Sequence, residues 1–102
     1  MIIEIIRYEL TTSSTDSLLE AYRAAAQHLR DAPECLGYEL MVCADAPRSC
    51  ILRIRWQSGE AHMQGFRRGP HFPPFLTLIR PYIGEIAEMR HYACTDVTWS
   101  RD

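Results

Sequence analysis

The order in which apolar periodicities succeed one another constrains this chain more than any single motif. Residues 2–10 alternate around β-branched side chains and read as a strand. The run Thr11-Thr-Ser-Ser-Thr-Asp16 then offers helix N-caps, and Ser17 with Glu20 has capping-box spacing. Leu18, Leu19, Tyr22, Ala25, Ala26 and Leu29 follow at the intervals of an amphipathic helix, which Asp31-Ala-Pro33 terminates. Residues 36–43 and 50–57 are two further strand patterns, joined by the turn-rich Ala44-Asp-Ala-Pro-Arg-Ser49. A short helix is expected over 59–68 and is broken by Gly69-Pro70. Pro73-Pro74 suits the first turn of another, ending near Arg80-Pro81. Residues 84–93 make a fourth strand, and residues 93–102 form a polar C-terminal tail in which Val97 and Trp99 stand out. The order β-α-β-β-α-α-β predicts an α+β, ferredoxin-like protomer with an antiparallel four-stranded sheet. The chain's 102 residues suit a single domain, 1–102, with one core.

Alternate strand residues face opposite sides, so parity sorts the sheet into two faces. Ile3, Ile5, Leu40, Val42, Leu52, Ile54, Trp56, Ala87, Met89 and His91 are expected under the helices. Arg7 shares that parity, at the end of the sheet away from Trp56. Glu4, Tyr8, Glu39, Met41, Arg53, Arg55, Glu88, Arg90 and Tyr92 are expected on the other face. That face is too aromatic for open solvent and too charged for a plain core. A second sheet stacked over it, in a homodimer with opposed charges neutralised, would account for it. The alternative is a solvated face with cross-strand ion pairs. With the first and third strands central, the last strand runs parallel to the third, which puts His91 at the Trp56 end.

Charge and composition exclude several functions. A net charge of −2 provides no field for nucleic acid or anionic lipid. No apolar run approaches the roughly 20 residues of a membrane span. All eleven basic residues are arginine, so Schiff-base chemistry on lysine is excluded. The start, Met-Ile-Ile-Glu-Ile-Ile-Arg-Tyr, is not a signal-peptide pattern. Cys35, Cys43, Cys50 and Cys94 lack C-x-x-C spacing and are expected as free, mostly buried thiols of a cytoplasmic protein. The histidines have no H-x-x-x-H spacing and no acidic cluster beside them, so no metal is expected. No dinucleotide, phosphate-binding or nucleophile-elbow motif is present, and no cofactor is expected.

Chemistry-bearing residues concentrate between Trp56 and Phe72. Trp56 ends a strand and can pack on one edge while stacking a flat ligand on the other. His62 titrates near neutrality and shares a helix face with Phe66, one turn later, which makes it the candidate base. Arg67 would either hold an anionic oxygen or sit solvated at the helix end, the commoner fate. His71 would cap the next helix or face the pocket mouth. Tyr22, Phe72 and Phe75 would complete an aromatic lining, and His91 would be a second polar group or proton donor. Gly65 would permit close approach by a ligand or by the sheet.

Five pieces, in order, carry a family resemblance: Gly37-Tyr-Glu-Leu40; Ile54-Arg-Trp56 followed by Ser58; His62-Met-Gln-Gly-Phe-Arg67 with Pro70 and Phe72; Arg80-Pro-Tyr-Ile83; and Glu88-Met-Arg-His-Tyr92. Over nearly its whole length the chain resembles the antibiotic biosynthesis monooxygenases, dimeric α+β barrels. The resemblance implies a homodimer whose sheets form a barrel, with a pocket between sheet and helices in each protomer. It also implies that Trp56 lines that pocket and that His62 falls where the polyketide oxygenases have a polar aromatic. The family's haem-degrading branch needs an Asn, a Trp and a His where this chain has Ile6 or Arg7, Gly65 and Phe75, so haem degradation is not expected. The implied activity is cofactor-independent oxygenation of a flat hydroxylated aromatic, a polyketide-type phenol or quinol, by dioxygen. His62 and His91 would be catalytic, and Trp56, Phe66, Arg67, His71, Phe72 and Tyr22 substrate-binding. A polyketide cyclase or isomerase, or a non-catalytic binding or assembly protein, are the alternatives.

Overall fold

The computed structural model describes residues 1–102. In chain order it has β1 (Ile2–Glu9), α1 (Thr15–Asp31), β2 (Cys35–Val42), β3 (Ser49–Trp56), a π-helical segment (Ala61–Phe66), α2 (Phe72–Ile79), a 3₁₀ segment (Arg80–Glu85) and β4 (Ile86–Ala93). The strands form one four-stranded sheet in the order β2-β3-β1-β4, and each neighbouring pair is antiparallel. This is the expected α+β, ferredoxin-like architecture, with helices packed on one face. No helix is long and apolar enough to cross a membrane.

The long helix starts where a side chain can satisfy its free N–H groups. Ser14, extended at ψ 154°, accepts from Ser17 N–H at 3.1 Å. Ser17 is thus capped rather than capping, and the expected box with Glu20 does not form. The helix stops at Asp31 because Pro33 forces Ala32 into an extended conformation, ψ 118°. Its inner stripe is Leu18, Tyr22, Ala25, Ala26 and Leu29. Leu18 and Leu29 are wholly buried, each contributing roughly 1.5–3 kcal/mol of apolar transfer. Behind the stripe, the Tyr8 and Tyr22 hydroxyls hydrogen-bond at 2.6 Å, which lets two phenols share the core.

Strand register corrects the expected faces at β1. Directly opposed residues share a face, so Glu4 stands with Ile54 and His91, and Ile6 with Leu52 and Met89. Glu4, Ile6 and Tyr8 are therefore under the helices, 2%, 6% and 0% exposed, and Ile3, Ile5 and Arg7 face the other way. The sequence Ile-Ile-Glu-Ile-Ile offers an apolar residue on either parity, and the carboxylate was expected outside. Glu4 and Tyr8 tolerate burial because each finds a hydrogen-bond partner there, whereas Arg7 pairs with exposed Glu9. The other three strands keep their expected parity, except that Ala87 falls in a register shift between β1 and β4.

The outer face consequently carries Ile3, Ile5 and Ile51 down its middle. Arg53 pairs with Glu39 across β3 and β2 at 3.2 Å, and Arg90 with Glu88 along β4 at 3.5 Å. The thiols are free, but only Cys50 is buried; Cys43 and Cys94 are exposed and Cys35 is half-buried.

One carboxylate ties the β1–α1 connection to the start of β4. Glu85 Oε1 accepts from the backbone N–H groups of Thr11, Thr12 and Ser13 at 2.7, 2.8 and 3.1 Å. Hydrogen bonding by Ser13, followed by the N–H groups of Thr12 and Thr11, holds its pKa at about 2, below the ordinary 4.5. A depressed carboxylate stabilises the fold fully above its unfolded pKa and loses that contribution as pH falls toward the folded one. Thermal melts should therefore show wild type losing its margin over Glu85→Gln between about pH 4.5 and pH 2.

Candidate active site

The site is assembled around Trp56, the last residue of β3 and wholly buried. A buried indole N–H needs an acceptor, and Trp56 Nε1–H donates to Glu4 Oε1 at 3.1 Å. That bond fixes the plane of the indole. His62 stacks on it with ring centroids 4.4 Å apart and planes inclined by 13°, and Phe66 closes the stack at 5.0 Å from Trp56.

His62 reaches this position because the segment after β3 is wound wide. Ser58 Oγ accepts from Ala61 N–H at 2.9 Å to start the turn. Arg67 N–H then reaches back five residues to the carbonyl of His62 at 3.0 Å, the hydrogen bond that defines a π-helix. In an α-helix Phe66 would share a face with His62 and Arg67 would turn away. Here both come to the same side, and Arg67 Nε lies 3.4 Å from His62 Nε2. The guanidinium also sits 5.2 Å from the centre of the Phe72 ring. Gly69 ends the turn where a Cβ would lie 2.6 Å from the Gly65 carbonyl oxygen. At Gly65 the close neighbour is the Glu34 side chain, 2.8 Å from where a Cβ would be, rather than the sheet or open ligand space.

The second nitrogen of His62 points to β4: His62 Nδ1 and His91 Nε2 are 2.8 Å apart. Glu4 Oε1 lies 3.5 Å from His62 Nε2, and Glu4 Oε2 4.0 Å from His91 Nε2. His62 is 1% exposed, while the His91 side chain, on an edge strand, is 36% exposed. Burial, then the positive charges of Arg67 and His91, lower the His62 pKa to about 4, so the expected titration near neutrality does not hold: His62 is a neutral imidazole at pH 7, able to accept a proton but a weaker base than the sequence implied. Burial raises that of Glu4, against the Trp56 hydrogen bond and the charges of His91 and Arg67. Glu4 Oε2 has no hydrogen-bond partner. Glu4, His62 and His91 each bring one metal-ligating atom within 4.8 Å of the others.

Beside this cluster lies a cavity of about 190 Å³, lined by Glu4, Trp56, His62 and Arg67 at its polar end. Phe66, Phe72, Phe75, Met89 and aliphatic residues make up the rest. The structure thus brings together His62, Trp56, Phe66, Arg67 and Phe72 in one cavity, whereas His91 lies outside the lining and reaches the site through its hydrogen bond with His62. His71 occupies the N-cap position of α2, where its side chain makes no capping hydrogen bond, and is not in the lining. Tyr22 faces a separate groove of about 240 Å³ between α1 and β2, with Arg23 and Arg30 on its rim. Glu4 is the residue that sequence reasoning missed. The available signal was Trp56 itself, since a buried indole at the end of β3 demands an acceptor on the neighbouring strand.

Trp56→Phe should cost at least about 1–3 kcal/mol in urea denaturation, because it strands a buried carboxyl oxygen. Adding Glu4→Met to that variant should recover part of the loss, since both polar partners are then gone.

The model of the family "Antibiotic biosynthesis monooxygenase" matches residues 1–76. No match was found among curated proteins. Among solved structures, a proposed antibiotic biosynthesis monooxygenase from Bordetella bronchiseptica is similar at 22% identity and a TM-score of 0.76, covering 92% of this chain and 96% of that one. Rv0793 from Mycobacterium tuberculosis aligns at 21% identity and a TM-score of 0.70, covering 93% and 95%. A point variant of SnoaB, a cofactor-independent oxygenase from Streptomyces nogalater, aligns at 15% identity and a TM-score of 0.72, covering 99% and 97%. At these identities the structures speak for the fold, and the family match covers three quarters of the sequence. The chain belongs to the antibiotic biosynthesis monooxygenase family.

Proposed function

We propose that this protein is a cofactor-independent monooxygenase that oxidises a flat, hydroxylated aromatic molecule with dioxygen. The observation that carries the reading is the convergence of His62 and Arg67, beside Glu4, on one end of a cavity whose remaining lining is apolar. Its size narrows the substrate. An apolar cavity of about 150 Å³ holds benzene, so about 190 Å³ takes one substituted ring, with any further rings lying toward the mouth.

His62 takes the phenolic proton, and the Arg67 guanidinium stabilises the phenolate oxygen. The electron-rich anion gives one electron to dioxygen; the phenoxyl radical and superoxide combine at a ring carbon. Protonation gives a hydroperoxide, and loss of the hydrogen on that carbon with cleavage of the O–O bond releases water and leaves a quinone. One oxygen atom enters the product and two hydrogens leave the substrate in water, so no external reductant is consumed. The hydrogen bond from buried His62 to half-exposed His91 links the site to solvent for these proton movements. Trp56 and Phe66 supply the flat wall against which a ring stacks.

Purified protein should consume dioxygen with a mono- or bicyclic hydroquinone faster than the uncatalysed rate, without added metal or flavin. One atom of labelled dioxygen should appear in the product. His62→Ala should slow the reaction at least about tenfold. A rearranged, unlabelled product would indicate a cyclase or isomerase, and binding without turnover a carrier or assembly protein.

The same reading includes a homodimer formed through the outer sheet face, where Ile3, Ile5 and Ile51 run between paired charges. Sedimentation equilibrium at micromolar concentration should give twice the chain mass, and Ile5→Arg should shift the species toward monomer. The unpaired thiols fit a reducing compartment, and the cytoplasm is the proposed location.

A further inference from the structure

Glu4 presents a problem that the oxygenase reading leaves unsolved. Its carboxyl is 2% exposed, one oxygen is held by Trp56, and the other, Oε2, has no partner. Buried polar atoms are almost always satisfied, so an orphan at the polar end of a cavity marks a place for a ligand. Two imidazoles stand beside it, and one donor atom from each of the three residues lies within 4.8 Å of the others.

We propose that Glu4, His62 and His91 bind one divalent first-row transition-metal ion, with its open coordination positions facing the aromatic cavity. Two histidines and one carboxylate form a donor set suited to such ions, and three protein ligands leave room for water or an added ligand. The ligating atoms are His62 Nδ1, His91 Nε2 and Glu4 Oε2. This set keeps the Trp56–Glu4 hydrogen bond and puts the His62 proton on Nε2, which faces Glu4 Oε1 at 3.5 Å. The Arg67 Nε–H that donates to that nitrogen in the metal-free ring must then turn to another acceptor. Donors around an ion with bonds of roughly 2.0–2.1 Å stand about 3 Å apart. His62 Nδ1 and His91 Nε2 are already 2.8 Å apart, and His91 Nε2 lies 4.0 Å from Glu4 Oε2, a side that must close by about 1 Å.

The ligands sit on β1, the π-helical segment and β4, each held by the sheet or by stacking, so the site is preorganised. Trp56 Nε1–H orients the carboxylate from behind, as outer hydrogen bonds do at metal sites. Arg67 is the one group that opposes the cation, and it lies against the other nitrogen of the His62 ring. The ion would replace the hydrogen shared by His62 and His91, so metal binding and proton transfer through that pair exclude one another. The inference goes beyond the proposed reaction and does not depend on it.

Chelator-stripped protein is titrated with Co²⁺, followed by its visible ligand-field absorption, and with Zn²⁺ by calorimetry. One equivalent per chain should bind. Glu4→Gln and His91→Ala should each weaken binding at least about tenfold. His28→Ala, half-buried in the last turn of α1 and outside the site, should leave it unchanged. His91 lies on an exposed edge strand, so its variant remains informative if Glu4→Gln misfolds; circular dichroism checks both. No binding by wild type, or equal binding in wild type and His91→Ala, would overturn the proposal. Either result leaves the oxygen-uptake test standing, because that assay contains no metal.

Discussion

The hydrogen bond from Trp56 Nε1 to Glu4 Oε1 is the interaction on which the site depends. An uncompensated carboxyl in the core of a domain this size would cost several kcal/mol. With the indole N–H on one oxygen, the carboxyl becomes a fixed post between β3 and β1. The indole, fixed in turn, gives His62 a surface to stack on, and the far nitrogen of His62 meets β4 through His91. Three strands and the segment that follows β3 are thereby placed relative to one another at one end of the sheet. The cavity is the space beside that arrangement, and its polar end is polar because the post is there.

Much of the fold could be read from pattern, since the alternation of strand periods with one long helical period admits few layouts. Parity on β3 and β4 brought Trp56, Met89 and His91 to one face. It failed on β1, where isoleucines occupy both parities and charge was used to break the tie. That rule is sound on average, but it fails where a buried carboxyl has a partner, and here the partner was the same Trp56 already assigned to the pocket. The centre of the site was thus hidden by the assumption that charged residues face out.

Arg67 illustrates a second limit. Helical-wheel reasoning assumes 3.6 residues per turn, and at that pitch Arg67 belongs on the solvent side. The wider turn returns it to His62. Periodicity cannot reveal this, because the departure spans one turn and leaves the surrounding apolar pattern intact. His71 shows the reverse case: Pro73-Pro74 correctly marks the first turn of the helix after it, yet occupying the cap position did not give its side chain a capping bond.

The π-helical segment carries one more implication. A turn closed over five residues instead of four is an α-turn with a single residue added. The wide turn therefore lets the chain carry one residue more than an α-turn while keeping Arg67 beside His62. Removing any one of Met63, Gln64 or Gly65 would place Arg67 four residues after His62, where ordinary winding also holds the two on one face. The cation at the polar end of the cavity is tied to the closure of the turn, and the extra residue is taken up in the bulge rather than in a displaced charge.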